Sequence, residues 1–164
     1  MDLSKKKILF IDLDDTLIET VSGDVFPRDI TDFKFKLEVL DKIRTMNLSR
    51  VCIVTNQGGI PEYVAEEDFK AKLKAVEFFM FLYCGVPVSS VYCASRDPEN
   101  DMRKPNTGML KESVKGLPKS LRREEVMLMV GDASGKEGDH SDSDKRTAEN
   151  FHIDYLDVSD FVNL

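Results

Sequence analysis

Two aspartates that directly follow a short apolar run are the residues of this chain best placed to do chemistry. Ile8-Leu9-Phe10-Ile11 is long enough for one buried strand, and Asp12 and Asp14 come after it with a spacing of two. That spacing points both carboxylates to the same side of an extended chain. Like charges this close raise each other's pKa, whereas a bound cation keeps both ionised, and oxygen ligands suit Mg²⁺. The alternative interpretation is a strand that ends in an ordinary charged turn.

Later segments carry polar groups in comparable positions, which favours a site over a charged turn. The apolar run Val51-Cys52-Ile53-Val54 leads into Thr55-Asn56-Gln57. Arg103-Lys104-Pro105 comes next, and the apolar run over 126–130 leads into Gly131-Asp132. In an open parallel α/β sheet, groups at the carboxyl ends of the strands gather in one crevice. The sequence therefore predicts a single site that combines carboxylates, a hydroxyl and a lysine.

The elements that must position these groups alternate between strand and helix patterns. Apolar residues at three- and four-residue steps predict helices, and short apolar or β-branched runs predict strands. In chain order we expect a hairpin with arms at 17–21 and 25–26, a helix over 33–46, a helix from Glu66, a strand over 88–94, a short helix capped by Thr107, a helix from about Asp144 to Asn150 and a strand over 153–156. Lysines 70, 72 and 74 are expected on the exposed side of the second helix. Because no gap between the motifs has room for a large cap domain, the site should be open to solvent.

Length and composition indicate one soluble globular domain over residues 1–164. Hydrophobic residues make up 41% of the chain and charged residues 32%, and no apolar run reaches the ~20 residues that span a bilayer. The N-terminal residues lack the apolar segment of a signal peptide. The three cysteines are isolated and lie in or beside apolar runs, which is typical of buried thiols in a reducing compartment. We therefore expect a cytoplasmic protein that does not bind membranes.

The net charge of −7 argues against broad, sequence-independent attraction to nucleic acid. Local basic clusters can still form, and the candidates are Arg96, Arg103 and the lysines of the second helix. No Cys/His spacing indicates a zinc site, because the two histidines, His140 and His152, are far apart.

The four motifs, in their order and strand context, resemble those of the haloacid dehalogenase (HAD) superfamily of phosphotransferases. The motifs are Asp12-x-Asp14-x-Thr16, Thr55, Lys104 and Gly131-Asp132. This resemblance implies a three-layer, Rossmann-like α/β fold with a central parallel sheet, without a cap domain and with a small hairpin flap after the first strand.

Within that superfamily, the chain is most similar to the 3′-phosphatase domain of polynucleotide kinase 3′-phosphatases. The likeness extends beyond the motifs to Ser22-Gly23, Val25-Phe26-Pro27, Gly59-Ile60, Gly85-Val86-Pro87 and Thr107-Gly108-Met109, and to the spacing of Asp139, Ser141 and Asp144. Asp15 differs, because that family usually has glycine there. No Gly-x-x-x-x-Gly-Lys-[Ser/Thr] loop occurs, so no kinase activity is encoded in these residues.

The resemblance implies a role for each site residue. Asp12 would be the nucleophile that forms an aspartyl-phosphate, Asp14 the general acid and base, and Lys104 the group that neutralises charge on the phosphoryl group. Mg²⁺ would be held by the Asp12 carboxylate, the Asp14 backbone carbonyl, Asp132 and a second acid. The expected substrate-binding residues are Thr16, Thr55, Asn56, Gln57, Arg103 and Lys104.

Three aspartates in or directly after the acidic loop over 133–143 are candidates for this second metal-binding acid. We expect Asp144 rather than Asp139 or Asp142, because Asp144 begins a helix-like segment and can orient Lys104 or a metal-bound water. A calcium loop is the competing interpretation of the dense acids, but the EF-hand pattern of alternating acids, central glycine and terminal glutamate is not met.

The expected function is Mg²⁺-dependent hydrolysis of a phosphomonoester, with 3′-phosphate ends of polynucleotides as the expected substrate. One alternative is a phosphatase for small metabolites of the sugar-phosphate or histidinol-phosphate type, which shares the Asn-Gln and Arg-Lys-Pro elements. The alternative from another class is a module that binds phosphate or metal without turnover. The expected oligomeric state is a monomer or a weak homo-oligomer.

Overall fold

A central sheet of five parallel strands is the framework of the computed structural model, which describes residues 1–164. The chain forms seven strands: β1 (Ile8–Ile11), β2 (Ile18–Glu19), β3 (Lys34–Phe35), β4 (Arg50–Asn56), β5 (Val88–Cys93), β6 (Met127–Gly131) and β7 (Asp154–Asp157). The strand order of the large sheet is β5-β4-β1-β6-β7, and every neighbouring pair is parallel. The chain builds β4 and β5 on one side of β1 and then β6 and β7 on the other. The carboxyl ends of β1, β4 and β6 therefore meet where the direction of winding reverses, which is where such sheets bind ligands.

Helices cover both faces of this sheet. They are α1 (Leu37–Thr45), α2 (Glu66–Cys84), α3 (Gly108–Ser113), α4 (Ser143–Asn150) and α5 (Val158–Asn163). Because side chains alternate along a strand, Leu9 and Ile11 of β1 enter the core beneath α1, α2 and α5, while Ile8 and Phe10 enter the core beneath α3 and α4. Each core is continuous with the buried residues of its helices. The predicted three-layer α/β fold with a central parallel sheet is confirmed.

The flap after β1 differs from the predicted hairpin. β2 pairs with β3, so the return arm lies at 34–35 and not at 25–26, and α1 begins at Leu37 instead of residue 33. Asp32 explains the difference, because it accepts hydrogen bonds from the backbone and hydroxyl of Ser22 and from the backbone of Arg28. These bonds close residues 22–32 into a loop of its own and leave Val25 and Phe26 exposed.

The other predicted elements lie within a few residues of their expected bounds, with two exceptions. Lys72 is buried, with its ammonium 5.1 Å from the centre of the Phe33 ring, so the expectation that it is exposed was wrong. The short helix α5 was not predicted. Between β1 and β4 the chain forms only the flap and α1, and between β4 and β5 it forms α2, which agrees with a site without a cap domain. None of the helices is long and apolar enough to cross a membrane.

Candidate active site

A small polar pocket opens at the carboxyl ends of β1, β4 and β6. Its volume is about 180 Å³, which is room for a phosphoryl group and a few waters at ~30 Å³ each. The pocket is lined by Asp12, Asp14, Asp15, Thr55, Asn56, Lys104, Asp132, Ala133, His140, Ser141, Ser143 and Asp144. Residues from all four sequence motifs therefore converge on one cavity, as the positions of the motifs at strand ends predicted.

Three of these carboxylates form a cluster that fits a metal ion. Asp12, Asp132 and Asp144 each contribute an oxygen, and these oxygens lie within 4.8 Å of one another. Asp12 continues β1 by one residue, because its backbone N–H donates to the Val130 carbonyl at 3.0 Å. The donor set consists only of oxygen and is mostly buried, which are the properties that Mg²⁺ requires.

Lys104 is the only cation inserted into this cluster. Its Nζ donates to Asp12 Oδ1 at 2.5 Å and to Asp144 Oδ1 at 2.6 Å, and the side chain is buried. Burial alone lowers the pKa of Lys104, but the two carboxylates outweigh it and the pKa lies above its ordinary value. The lysine is thus charged, and one ammonium faces three carboxylates.

Burial, together with the neighbouring carboxylates, raises the pKa of two acids of the cluster, Asp12 and Asp132. Burial raises the pKa of Asp12 well above its ordinary value, and Asp144 adds to this effect while Lys104 opposes it. Burial and then Asp144 raise the pKa of Asp132, against the hydrogen bond from Thr16. A divalent cation at the cluster would reverse these shifts, because it favours the ionised form of each acid. The electrostatics of the cluster therefore fit a cation site.

Asp144 reaches the cluster because Gly131 has no side chain. A Cβ atom on Gly131 would lie 2.1 Å from Asp144 Oδ2 and 2.5 Å from its Cγ. Asp144 lies in the first turn of α4, and its Oδ2 also accepts the Ala133 backbone N–H at 3.2 Å. Of the three aspartates considered from the sequence, Asp144 is the one that the structure brings to Asp12 and Asp132.

Asp139, by contrast, orders the acidic loop. It accepts hydrogen bonds from the Ser134 hydroxyl and from the backbone N–H groups of Ser134 and Lys136. The hydrogen bond from the Ser134 hydroxyl is the main reason that the pKa of Asp139 is lowered. This loop places His140, Ser141 and Ser143 in the wall of the pocket, a contribution that was not predicted. The spacing of Asp139, Ser141 and Asp144 was the available signal for it.

Asn56 fastens the segment that carries Lys104 to the end of β4. Its Nδ2 donates to the Lys104 carbonyl at 3.1 Å, and its Oδ1 accepts the Lys104 backbone N–H at 2.9 Å. Both hydrogen bonds of this side chain thus serve the main chain of Lys104. The pair explains how a lysine from a long loop keeps a fixed position between two strands.

Gln57 fixes the position of the Asp14 side chain. Its Nε2 donates to Asp14 Oδ2 at 2.7 Å and to Thr55 Oγ1 at 2.9 Å. Asp14 and Thr55 line the pocket, whereas Gln57 lies behind them. The carboxylate of Asp14 is consequently held apart from the three-carboxylate cluster, where it is available for other chemistry.

Thr16 and Arg103 lie outside the pocket lining. Thr16 is fully buried and donates its hydroxyl to Asp132 Oδ1 at 3.0 Å. Arg103 is half-buried and donates from Nη1 to the Ser95 carbonyl at 2.9 Å. The structure thus gives both residues contacts that support neighbouring parts of the protein, and their predicted contacts with substrate stay predictions.

Comparison with known proteins agrees with the motifs. Residues 7–161 match the family model described as polynucleotide kinase 3 phosphatase. The chain is 35% identical over 155 residues to the bifunctional polynucleotide phosphatase/kinase of Schizosaccharomyces pombe, covering 92% of this chain and 36% of that protein. It is 29% identical over 171 residues to a histidine biosynthesis bifunctional protein of Legionella pneumophila, covering 94% of this chain and 42% of that protein. The chain therefore spans about two fifths of the length of these relatives.

Solved structures show the same fold. A crystal structure from Mesorhizobium loti, described as that of a HAD-like phosphatase, has a TM-score of 0.64 and 27% identity, covering 90% of this chain and 69% of that one. D,D-heptose 1,7-bisphosphate phosphatase from B. bronchiseptica, solved with magnesium and phosphate, has a TM-score of 0.61 and covers 96% of both chains. At 16% identity, the second similarity concerns the fold alone.

Proposed function

The chain belongs to the polynucleotide kinase 3 phosphatase family, and from this membership and the site geometry we propose that it hydrolyses phosphomonoesters with Mg²⁺ through an aspartyl-phosphate on Asp12. We propose 3′-phosphate ends of polynucleotides as its substrates. The observation that carries the proposal is the convergence of Asp12, Asp132, Asp144 and Lys104 in a pocket of phosphoryl size.

Asp12 is the nucleophile in the first step. One of its carboxylate oxygens attacks the phosphorus, and the bond from phosphorus to the ester oxygen of the substrate breaks. Lys104 lies 2.5 Å from Asp12 Oδ1 and counters the negative charge of the phosphoryl group during transfer. Thr55, at the end of β4, lines the pocket and can donate its hydroxyl to a phosphoryl oxygen.

Asp14 handles the proton in both steps. In the first, it donates a proton to the leaving ester oxygen; in the second, it accepts a proton from the water that attacks the aspartyl-phosphate. The second step breaks the bond between phosphorus and the Asp12 oxygen and releases inorganic phosphate. The hydrogen bond from Gln57 keeps the Asp14 carboxylate beside the pocket and outside the carboxylate cluster.

Mg²⁺ would be held by the carboxylates of Asp12, Asp132 and Asp144 and by the backbone carbonyl of Asp14. Bound Mg²⁺ would supply positive charge that stabilises the phosphoryl oxygens and keeps the carboxylates ionised. Thr16 orients Asp132 from behind, and Lys104 together with the Ala133 N–H orients Asp144.

The absence of a cap supports a large substrate. The phosphoryl group would occupy this pocket with a few waters, and the rest of the substrate would extend from the pocket opening, which no cap element within residues 1–164 covers. A strand end meets this condition. A small metabolite phosphatase is the second candidate, because the chain also resembles a histidine biosynthesis protein and has an acidic net charge.

A substrate panel tests the proposal. Purified protein with Mg²⁺ should hydrolyse a 3′-phosphorylated oligonucleotide with a higher kcat/KM than sugar phosphates or histidinol phosphate. Asp12→Asn should abolish turnover of every substrate and leave thermal unfolding intact. Faster turnover of a sugar phosphate by tenfold or more, about 1.4 kcal/mol in transition-state binding, would assign the protein to the metabolite class. Metal binding without turnover in the unmodified protein would indicate a binding module instead.

A further inference from the structure

An exposed tyrosine lies at the same edge of the sheet as the catalytic pocket. Tyr63 follows β4, is 78% exposed, and has its backbone N–H bonded to the Gly59 carbonyl at 2.7 Å. Arg96 follows the neighbouring strand β5, and its guanidinium lies 5.6 Å from the centre of the Tyr63 ring. A single exposed aromatic side chain is ordinary, but this one is paired with a planar cation at the rim of the site.

The arginine is fixed in this position by two further contacts. Arg96 Nε donates to the Gly58 carbonyl at 2.5 Å, and its Nη2 lies 2.9 Å from Glu62 Oε2. A Cβ atom on Gly58 would lie only 3.1 Å from Arg96 Cγ, so a glycine there gives the arginine room. Tyr63 and Arg96 therefore form a pre-organised pair of flat groups, here called the rim platform.

The rim platform is connected to the pocket lining through Gly58, whose carbonyl accepts the Arg96 Nε–H. Gly58 is two residues from Asn56, which lines the pocket, so their Cα atoms lie within about 8 Å. Gln57, between them, is hydrogen-bonded to Asp14. In the proposed function the phosphoryl group occupies the pocket of about 180 Å³, and the nucleoside that carries it extends from the pocket opening towards the residues that follow β4 and β5.

The charge of the platform favours a base over a phosphate as its ligand. Glu62 neutralises Arg96, so the pair offers flat π-surfaces without a net positive charge. Aromatic and guanidinium planes are the groups on which the bases of single-stranded nucleic acids stack, with little dependence on sequence. We propose that the rim platform stacks the base of the nucleotide that bears the 3′-phosphate; this inference rests on the proposed function.

The test compares two oligonucleotides that differ only at the 3′-phosphorylated nucleotide, which carries a base in one and is abasic in the other. The readout is the ratio of kcat/KM for the two substrates, measured with DNA and with RNA. Stacking on an aromatic side chain predicts a ratio of roughly five to 150 in the wild-type protein. Tyr63→Ala should bring the ratio near one, whereas Tyr63→Phe should preserve it. Phe78→Ala, which removes an exposed aromatic side chain of α2 that has no arginine partner, should leave the ratio as in the wild type.

The possible failures are distinguishable. A wild-type ratio near one, with good turnover of both oligonucleotides, overturns the rim platform and leaves the proposed function standing. An unchanged ratio in Tyr63→Ala also overturns the platform. If the wild type hydrolyses p-nitrophenyl phosphate but neither oligonucleotide, the polynucleotide substrate is wrong and the platform falls with it. Should Tyr63→Ala fail to fold, Tyr63→Leu takes its place in the same comparison.

Discussion

Adding one methyl group at Gly131 should disable the carboxylate cluster without replacing any residue of the cluster. The Cβ of Gly131→Ala would lie 2.1 Å from Asp144 Oδ2, whereas ordinary contacts begin at 3.4 Å, so the carboxylate must retreat by about 1.3 Å. That movement takes Asp144 away from Lys104 Nζ, now 2.6 Å from its Oδ1, and out of the metal cluster. Misplacing a catalytic group by ~1 Å can cost about 10²-fold in rate. We therefore expect kcat/KM on p-nitrophenyl phosphate to fall by about two orders of magnitude and Mg²⁺ binding to become weaker.

The control separates displacement of Asp144 from loss of stability. Gly116→Ala places a Cβ in open space at a φ of +80°, so it adds backbone strain of ~1–2 kcal/mol at a residue outside the pocket lining. It should lower the melting temperature by a few degrees and leave kcat/KM unchanged. In the Asp144→Asn background, Gly131→Ala should add little further loss, because both changes act on the same group. Activity of Gly131→Ala within threefold of wild type, with an unchanged Mg²⁺ requirement, would refute this account of the cluster.

Three further predictions concern metal, acid and salt. Mg²⁺ at 100 times its Kd should stabilise the wild type by ~2.7 kcal/mol, which is about 5–11 °C in Tm. In a thermal melt, Asp144→Asn should lose most of this shift. The control variant Asp142→Asn, which changes an exposed aspartate two residues earlier, should keep it. Hydrogen bonds from the Arg28 backbone, the Ser22 hydroxyl and the Ser22 backbone lower the pKa of Asp32 from 3.8 to about 2. The ionised form of Asp32 therefore contributes stability above pH 3.8, and this contribution is lost as the pH falls towards 2. In urea titrations, the difference in stability between wild type and Asp32→Asn should shrink over that interval, and a constant difference would contradict the assignment. For a 3′-phosphorylated oligonucleotide, a plot of log kcat/KM against log salt concentration should have a slope shallower than about −1.4, the value expected for two single-strand phosphate contacts. A steeper slope would show that a basic surface binds more of the strand.

The centre of the sheet and the site could be predicted from the sequence because β1, β4 and β6 are short apolar runs that each lead into a polar group. A buried parallel strand needs such a run, and the polar residue after it must lie at the carboxyl edge. Asp12, Thr55 and Asp132 were therefore placed correctly by local pattern alone. Asp144 was placed by its position at the start of a helix, and the space left by Gly131 explains why it fits there.

The features that the sequence did not predict depend on contacts between distant residues. The flap returns at 34–35 because Asp32 bonds back to Ser22 and Arg28, a closure with no periodic signal. The burial of Lys72 depends on Phe33, which lies 39 positions earlier in the chain. The bond pair between Asn56 and Lys104 spans 48 residues, so a residue expected to bind substrate was found to hold the main chain of another site residue.

The paired state of the basic residues near the site indicates how an acidic protein could act on strand ends. Three of the expected nucleic-acid contacts are already engaged: Arg96 with Glu62, Lys70 with Glu66 and Glu67, and Arg103 with the Ser95 carbonyl. Long-range attraction to a phosphate backbone is correspondingly weak for a chain with a net charge of −7. For the proposed strand-end substrate, recognition would rest on short-range contacts, namely the phosphoryl pocket and the rim platform. Such contacts would read the end of a strand rather than its length, because they involve only the terminal phosphate and its nucleoside.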